Sequence, residues 1–384
     1  MEGRRVSSTS MKAVVVAFDI ITSYGTGVSA CWEGIMAGRT AVSRVARFST
    51  ASFQSDYAGT ISGLTYLGGE TLVMQMLRPL FEKGGADVPA DAKLLLATTK
   101  GEIDLLEKSI LLGSGDASAS VPRHLLGKVE ELTGAKGGGM VVSAACTSSA
   151  AATAQAAAMI RNGNTDCVLV VACDSVTEFI FSGFSSLMAL DKQPARPFDR
   201  GRAGLNVGEA AAYALIMSET RAKREQRAIL GEIAGWGLND DANHMTGPSR
   251  ESEGLILAVN KALTSAGAGP GGIGLIAAHG TGTVYNDAME MRAFHAVFRD
   301  GERPLYSIKG GIGHTMGAAG LVETVIALKA LREKIAPPTV NLIRADDDAT
   351  GWVSDRPRSL RNDAIALVTN AGFSGVNTAL VLAL

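Results

Sequence analysis

Ten short apolar runs recur along the chain, and stretches with helical character separate most of them. Most residues within a run are apolar and many stand at consecutive positions, which is typical of strands that are buried on both faces of a sheet. Strands that alternate with helices predict an α/β fold. The runs are 13–18, 93–98, 140–145, 167–173, 211–217, 229–235, 275–278, 305–308, 364–369 and 378–384.

The order of these runs indicates an internal duplication, because the third run of each half leads into a helix of small residues. In the first half, 140–145 leads into an alanine-rich stretch, and in the second half 305–308 leads through glycines into a predicted helix over 321–331. The alternative is an ordinary α/β protein in which this order is coincidental. We predict an N-terminal tail, a first half and a second half, with the charged run 221–227 as a solvated connector. Their bounds are 1–10, 11–228 and 229–384.

Composition narrows the class of protein. Hydrophobic residues make up 46% of the 384 residues and charged residues 19%, enough for a large core. The net charge of −2 argues against a nucleic-acid-binding protein. No run has the roughly 18 consecutive apolar residues of a membrane span. Asp19 interrupts the first apolar run, so we do not expect a secretory signal. We therefore expect a cytoplasmic location.

The four cysteines match neither a metal site nor a disulfide framework. Cys167 and Cys173 lie six residues apart in one apolar run, which puts them on the same face of a strand as structural residues. Cys146 differs, because it lies at the junction between a strand and a helix. Helix N-termini favour a thiolate and can bind a developing oxyanion. The alternative for Cys146 is a small buried hydrophobic residue.

Two of the five histidines lie in glycine-rich turns that follow predicted strands. His279 opens the segment His-Gly-Thr-Gly-Thr, and His314 lies between Gly313 and Thr315. Glycines beside a functional side chain allow a substrate to approach closely. The alternative is that each histidine is held by backbone groups of its own turn. The others lack this context and are predicted to be surface residues: His124, His244 and His295.

Several motifs together resemble the elongating β-ketoacyl-acyl-carrier-protein synthases, in the same order and over about residues 12 to 384. The motifs are Ala145-Cys146-Thr147-Ser148, Arg196-Pro-Phe-Asp199, Gly208-Glu209-Ala210, His279-Gly-Thr-Gly-Thr283 followed by Asp287 and Glu290, Lys309 five residues before His314, and Asn370-Ala-Gly-Phe373-Ser-Gly-Val-Asn377. The resemblance implies a thiolase fold, in which two similar α/β halves form α-β-α-β-α layers around one active site.

The resemblance also implies an acyltransferase reaction, a decarboxylative Claisen condensation. The cysteine accepts an acyl group from acyl carrier protein, malonyl-carrier-protein loses carbon dioxide, and the enolate attacks the acyl thioester to give a 3-oxoacyl product of fatty-acid or polyketide-type elongation. Two neutral imidazoles that donate through Nε2–H suit the enolate oxygen. The alternative function is a ketosynthase-like partner, or a subunit that binds carrier protein and has little condensing activity.

Further roles follow from the resemblance. The backbone N–H groups of Cys146 and Phe373 form the oxyanion hole, and Phe373 is also the gate between the two half-reactions. Lys309 orients His314 in a network with Glu290; the alternative is a surface lysine. Thr281 and Thr283 bind the phosphopantetheine amides, or are ordinary turn residues.

The chain departs from the family pattern in two motifs. Ser374 replaces a glycine that follows the gating phenylalanine, and Ala203 replaces an aspartate. No cysteine follows Cys173, which excludes a degradative thiolase with its second active-site cysteine. Asn341 and Asn370 are present, but the Lys309–His314 spacing favours the two-histidine class over the initiating class, which pairs one histidine with one asparagine.

The resemblance implies acyl carrier protein as the partner, with Arg196, Arg200 and Arg202 as candidate docking residues. It implies a homodimer, or a heterodimer with a ketosynthase-like subunit, for which strand 167–173 is the predicted interface. No metal or redox cofactor is expected, since phosphopantetheine arrives with the substrate.

Overall fold

The structure is a computed structural model that describes residues 11–82, 87–299 and 301–384. The predicted tail, residues 1–10, lies outside the described residues. No helix within the described ranges is long and apolar enough to cross a lipid bilayer.

Ten strands form one continuous mixed sheet, and a short additional strand pairs with the first of them. Two further two-stranded ladders, β3–β4 and β12–β13, lie outside it. The strands are β1 (Ala13–Thr22), β2 (Gly25–Thr26), β3 (Ser43–Arg44), β4 (Tyr57–Ala58), β5 (Lys93–Ala97), β6 (Gly139–Val142), β7 (Cys167–Asp174), β8 (Ala210–Ser218), β9 (Gly231–Asp240), β10 (Ile273–Ala277), β11 (Leu305–Tyr306), β12 (Ile335–Ala336), β13 (Arg358–Ser359), β14 (Ile365–Ala371) and β15 (Val376–Ala383).

The α-helices pack on both faces of this sheet. They are α1 (Val28–Met36), α2 (Leu72–Glu82), α3 (Ile103–Leu112), α4 (Pro122–Thr133), α5 (Ser148–Arg161), α6 (Glu178–Ser186), α7 (Glu219–Arg224), α8 (Glu253–Ala266), α9 (Val284–Val297), α10 (Lys309–Ile312) and α11 (Ala319–Glu333).

The two halves have the same order of strands when each is read from its outer edge to the centre of the sheet. The first half reads β6-β5-β7-β8-β1 and the second half reads β11-β10-β14-β15-β9. In each half two parallel pairs are followed by two antiparallel pairs. The halves join where β1 pairs with β9 over Val14–Glu232 and Val15–Gly231. This arrangement repeats one topology twice.

Three apolar clusters separate the layers. Helices α5 and α11 pack against each other between the two halves of the sheet, where most of their residues are buried. Helices α2 and α4 cover the outer face of the first half. Helices α8 and α9 cover the outer face of the second. The layers therefore follow the order α-β-α-β-α, as expected.

All ten predicted strands are present, and the two predicted junctions lead into α5 and α11. The run 140–145 ends earlier as a strand, at Val142, because the chain turns there toward α5. Cys167 and Cys173 lie in the same outer cluster, which confirms that they share a face. The predicted boundary at 228/229 falls between α7 and β9 and stays a prediction.

Two expectations about the first half are wrong. Strand β7 is paired on both sides, by β5 and β8, and all eight of its residues are buried, so it is not free to pair with a second subunit. The charged connector is also not fully solvated. Arg221 is buried and pairs with Asp91, Asp166 and Glu225. These three carboxylates compensate the charge of the guanidinium group, which allows it to be buried.

Close packing of α5 on α11 depends on Gly320. A Cβ at this position would lie 2.7 Å from both the Cβ and the backbone nitrogen of Ala150. We expect Gly320→Ala to lower the free energy of unfolding by about 1–3 kcal/mol, the usual cost of overpacking. Urea unfolding followed by circular dichroism measures it. Gly127→Ala, in α4 with nothing within 4 Å of the new Cβ, is the control and should not destabilise. Equal stability of both variants would contradict this packing.

Candidate active site

Cys146 lies in a tight turn between β6 and α5. Ala145 adopts a left-handed backbone conformation (φ 48°), which turns the chain at the end of the strand. The side chains of Thr147 and Ser148 then donate hydrogen bonds to the carbonyls of Ala144 and Ala145, both at 2.6 Å. These bonds fix the thiol just before the first turn of α5, where it is buried.

Burial dominates the ionisation of this thiol. It raises the pKa of Cys146 to about 11, although the charge of Lys309 and a hydrogen bond from the Phe373 backbone N–H lower the pKa. Burial therefore opposes the ionisation that the helix N-terminus favours.

The pKa of Cys146 predicts how fast the thiol is alkylated. Below the pKa the thiolate fraction rises about tenfold per pH unit. We expect the rate of iodoacetamide addition to Cys146 to rise throughout about pH 7 to 9 without a plateau. Peptide mass spectrometry measures the modification, and circular dichroism at each pH verifies that the fold persists. A plateau below pH 8 would show that the thiol is already ionised at neutral pH.

The turn that carries His279 follows β10 and is held by two buried carboxylates of α9. Glu290 accepts the backbone N–H of His279 (2.8 Å) and of Gly280 (2.6 Å). Asp287 accepts those of Thr281 (3.1 Å) and Gly282 (3.2 Å). Burial raises the pKa of Glu290 to about 7. The turn is thereby fixed by hydrogen bonds to its backbone, which leaves the imidazole free for chemistry.

Lys309 is buried and contacts His279 on two sides. Its Nζ donates to the His279 carbonyl (2.5 Å) and lies 3.3 Å from the His279 Nδ1. Its ion-pair partner is Glu323 of α11. The predicted network therefore needs two corrections. Lys309 orients His279 rather than His314, and Glu290 reaches this network through the His279 backbone. The reason is that α11 brings Glu323 directly beside the ammonium group.

His314 lies beside His279, with the two ring centroids 5.1 Å apart and the rings nearly perpendicular. Its Nδ1 accepts the Met316 backbone N–H at 3.1 Å, and its own backbone N–H donates to Asn206 at 2.7 Å. The turn after it is tied to β7 by Asp174, which accepts the Gly317 backbone N–H at 2.7 Å.

Hydrogen bonding fixes the same tautomer in both rings. Each Nδ1 faces a donor, which is the ammonium of Lys309 at His279 and the Met316 backbone at His314, so each proton resides on Nε2. Burial and the charge of Lys309 hold the pKa of both imidazoles well below its usual range. The site therefore presents two neutral Nε2–H donors.

Phe373 completes the surroundings of the thiol. Its backbone N–H points at the sulfur, and its ring centroid lies 5.8 Å from that of Phe184. A Cβ on the preceding Gly372 would lie 3.3 Å from the Cys146 nitrogen, so the two segments approach closely. Ser374 adopts φ 72°, a conformation that is costly for a residue with a Cβ, and its N–H donates to the Met245 carbonyl at 2.6 Å.

A cavity of about 490 Å³ opens onto these groups. Cys146, His279, His314 and Phe373 lie in its wall together with both predicted threonines. The hydroxyls of Thr281 and Thr283 lie 2.9 Å apart, and the Thr283 hydroxyl also accepts the Asn286 N–H that caps α9. Ala203, one of the two departures from the family pattern, and His244, which is exposed as predicted, also line it.

The three candidate docking arginines are not equivalent. Arg202 is buried and bonded to Asp346, so it is not available to a partner. Arg196 is partly exposed and bonds the Gly201 carbonyl, and Arg200 pairs with Asp347 at the surface. The loss of an aspartate at position 203 is offset by Asp346, which comes from a distant segment and supplies a carboxylate to Arg202.

The sequence did not point to Glu323 or Asp174 as residues of the site. It also gave no indication that the side chain of Asn370 forms a hydrogen bond there. Glu323 carries a detectable signal, because it is a lone acidic residue within the apolar stretch from Leu321 to Leu328. The other two depend on contacts between distant segments and leave no local pattern.

The assembled groups suit one kind of chemistry. A buried thiol lies beside backbone N–H groups and two neutral imidazole donors, at the wall of one cavity. Such a site can form a thioester on sulfur and stabilise negative charge on a thioester oxygen.

The chain matches the models of both domains of one protein family, and the two matches together cover more than half of its residues. Residues 95–222 match the β-ketoacyl synthase N-terminal domain, and residues 230–343 match the β-ketoacyl synthase C-terminal domain. The two domains follow one another in the same order as the two halves of the fold.

Curated relatives are similar along their whole length. A protein named 3-oxoacyl-acyl-carrier-protein synthase 2 from Coxiella burnetii is 29% identical, and the match covers 100% of this chain and 99% of the relative. The tetracenomycin polyketide synthase ketoacyl synthase alpha subunit of Streptomyces glaucescens is also 29% identical, with 97% of each chain covered.

Solved structures share the fold. The ishigamide ketosynthase/chain length factor superposes with a TM-score of 0.85 at 27% identity, covering 97% of this chain and 99% of that one. A β-ketoacyl synthase from Burkholderia phymatum superposes with a TM-score of 0.84 at 24% identity over the same shares.

Proposed function

The chain belongs to the β-ketoacyl synthase family, and from that premise we propose that it is a 3-oxoacyl-acyl-carrier-protein synthase whose nucleophile is Cys146. It extends an acyl chain by two carbons from malonyl-carrier-protein, in fatty-acid or polyketide elongation. Relatives with these names support the reaction class.

The first half-reaction loads the nucleophile. The sulfur of Cys146 attacks the carbonyl of the acyl-carrier-protein thioester, and the oxyanion is held by the N–H groups of Cys146 and Phe373. The bond to the pantetheine sulfur breaks, and the proton of the Cys146 thiol passes to that sulfur as it leaves. The product is an acyl thioester on Cys146 and free carrier-protein thiol.

The second half-reaction makes the carbon–carbon bond. Malonyl-carrier-protein loses carbon dioxide, and the electron pair forms an enolate whose oxygen accepts hydrogen bonds from the Nε2–H of His279 and of His314. The enolate carbon attacks the acyl carbonyl on Cys146. The carbon–sulfur bond then breaks, the 3-oxoacyl group stays on the carrier protein, and the sulfur takes up a proton.

One observation carries the proposal, namely that both imidazoles are neutral Nε2–H donors in the same cavity wall as the thiol. The experiment mixes the protein with an acyl-carrier-protein and malonyl-carrier-protein. We expect a 3-oxoacyl-carrier-protein and carbon dioxide. A protein that accepts neither thioester is not a condensing enzyme.

The second candidate function is a ketosynthase-like partner or carrier-protein-binding subunit with little condensing activity. The name of the relative from Streptomyces glaucescens, an alpha subunit, favours such pairing. Cys146 distinguishes the two functions, because a subunit that only binds carrier protein has no need of an acylated thiol.

Docking of the carrier protein is proposed at the cavity mouth, which is apolar. Leu187, Met188, Val284 and Tyr285 line the cavity and are all about half or more exposed. Any protein that delivers a thioester to Cys146 meets this rim. Arg196 and Arg200 remain candidates for its charged contacts, and the buried Arg202 is excluded.

Removing this rim should weaken delivery by the carrier protein. We expect the double variant Met188→Ser, Tyr285→Ser to raise KM for acyl-carrier-protein about tenfold, because apolar area no longer leaves water on docking. KM for a small acyl-pantetheine thioester should change much less. Ile343→Ser, at a comparably exposed apolar position outside this cavity, is the control. A carrier-protein KM equal to that of the control would exclude the rim as a docking surface.

We propose a dimer, either of two copies or with a ketosynthase-like subunit. Edge strand β6 supports this arrangement, because β5 is its one strand partner within the described residues and Met140 on it is exposed. Light scattering of the purified protein alone measures whether two copies associate. A monomer that becomes active only with a second ketosynthase-like subunit would identify the heterodimer.

We also propose that the reaction needs no resident metal or redox cofactor, since the two imidazoles and the backbone donors supply the charge stabilisation. Metal analysis of the active protein and assay after chelation test this. A cytoplasmic location is proposed as well, and the four free cysteines support a reducing compartment.

A further inference from the structure

Asn370 lies at the centre of the site but has no role in the reaction described above. It is fully buried near the end of β14. Its Nδ2 donates to the Glu323 Oε2 at 2.5 Å and lies 3.4 Å from the His279 Nδ1. Its Oδ1 has no hydrogen-bond partner among the described residues. The side chain therefore touches both the ion pair and a proposed catalytic imidazole.

Glu323 determines which way the amide points. If the amide were flipped, Oδ1 would face a carboxylate oxygen at hydrogen-bond distance, and two acceptors would repel each other. Burial makes such an unsatisfied contact costly. The amide is thereby forced to present its NH₂ group to Glu323, and the same NH₂ group faces His279.

The groups around His279 explain why a neutral donor is useful there. Lys309 comes from α10, Glu323 from α11, and Glu290 and Asp287 from α9, while Cys146 and His314 share the cavity wall. Lys309 is already engaged by the His279 carbonyl and by Glu323. A second donor at Nδ1 holds the tautomer without adding charge beside the ring.

We propose that Asn370 is a positioning residue that keeps His279 in its Nε2–H tautomer by presenting a donor, and never an acceptor, to Nδ1. The proposal rests on the proposed function of His279 as a donor to the malonyl enolate. It adds a residue on which decarboxylation depends and loading of Cys146 does not.

Asn370→Asp replaces the donor with a group of the same shape. If the new carboxyl group is ionised, one of its oxygens faces Nδ1 as an acceptor. If it is protonated and donates its proton to Glu323, an oxygen lone pair faces Nδ1, which is again an acceptor. At neutral pH His279 then carries its proton on Nδ1 and has none on Nε2. We expect decarboxylation of malonyl-carrier-protein at neutral pH to fall at least about tenfold, while acylation of Cys146 stays within about twofold.

The pH profile separates this role from a purely structural one. In Asn370→Asp the decarboxylation rate should rise as the pH falls from about 8 to about 6, because protonation of His279 restores a proton on Nε2. No such rise is expected in the wild-type protein, where His279 is neutral. Asn370→Ala removes the donor but leaves Lys309 at Nδ1, so a smaller loss without a new ionisation is expected.

Thr378→Val is the matched control. Thr378 is buried on the adjoining strand and donates to the Asn370 backbone carbonyl at 3.4 Å, so its loss perturbs the same hairpin but spares the amide. Equal decarboxylation and equal pH profiles in Asn370→Asp and the control would overturn the proposal. So would a parallel loss of acylation and decarboxylation in both Asn370 variants.

A second measurement does not depend on activity. The ¹⁵N shifts of the imidazoles, in protein with labelled histidine, report the tautomer of His279 directly. At neutral pH we expect a protonated Nε2 in the wild-type protein and a protonated Nδ1 with a bare Nε2 in Asn370→Asp, which becomes an imidazolium only as the pH falls. If the wild-type protein decarboxylates nothing but these shifts are found, the proposed function fails and the role of Asn370 stands. Unchanged shifts in Asn370→Asp would refute that role.

Discussion

Cys146→Ala is expected to abolish both loading and condensation. Without the sulfur no acyl thioester can form on the protein, and removal of a catalytic nucleophile typically lowers turnover by roughly 10⁴-fold or more. Intact-protein mass spectrometry after incubation with an acyl-carrier-protein should show one added acyl group on the wild-type protein and none on the variant. Peptide mapping should assign that group to Cys146.

Cys31→Ala is the matched control for this experiment. Cys31 is also a fully buried thiol, but it lies in α1 and away from the cavity wall. This variant should be acylated like the wild-type protein. Acylation of the Cys146→Ala variant, or equal condensation by both variants, would refute covalent catalysis at this position.

His279→Ala and His314→Ala are expected to separate the two half-reactions. Each variant loses one Nε2–H donor to the enolate oxygen, and one such donor is worth about 3–4 kcal/mol, or about 10²–10³ in rate. Release of carbon dioxide from malonyl-carrier-protein should fall by this factor in each variant. Acylation of Cys146 should stay within several-fold of wild type, because its oxyanion is held by backbone N–H groups.

His124→Ala is the control, since His124 is exposed on α4 and does not line the cavity. Release of carbon dioxide by this variant should match the wild-type rate. If the His279 and His314 variants also condense acyl and malonyl groups at that rate, the two imidazoles are not the electrophilic groups.

The fold was largely predictable because the central strands of the sheet are buried on both faces. Burial on two sides requires consecutive apolar residues, so strands such as β5, β7 and β8 leave a local pattern, whereas β6 at the edge has no buried residue. The duplication was visible for the same reason, since β6 and β11 both lead into helices whose small residues let α5 and α11 approach closely. The pairing of β1 with β9, which joins the halves, leaves no such pattern.

The site was predictable where chemistry requires particular residues at turns. Cys146, His279, His314 and Phe373 line one cavity, as their motifs indicated. The electrostatics were less predictable. The helix N-terminus suggested a thiolate, but burial raises the pKa of Cys146 to about 11, and burial is a property of the whole fold rather than of the turn.

Partners of charged residues were the weakest predictions. The family resemblance assigned Lys309 to Glu290, but α11 brings Glu323 beside the ammonium group. Arg202 was assigned to a docking surface, but Asp346 reaches it from a distant segment and buries it. In both cases tertiary packing decides between several carboxylates that lie at plausible distances along the sequence.

The central claim is that one cavity couples an acyl group on Cys146 to decarboxylation at His279 and His314. A single-turnover experiment tests it most directly. Protein that has been acylated and freed of acyl-carrier-protein is mixed with malonyl-carrier-protein, and three quantities are followed together. We expect the loss of the acyl group from Cys146, the release of carbon dioxide and the formation of 3-oxoacyl-carrier-protein to occur in a ratio of about one to one to one. Release of the acyl group as a free acid, or carbon dioxide formed while the acyl group stays on Cys146, would contradict the account.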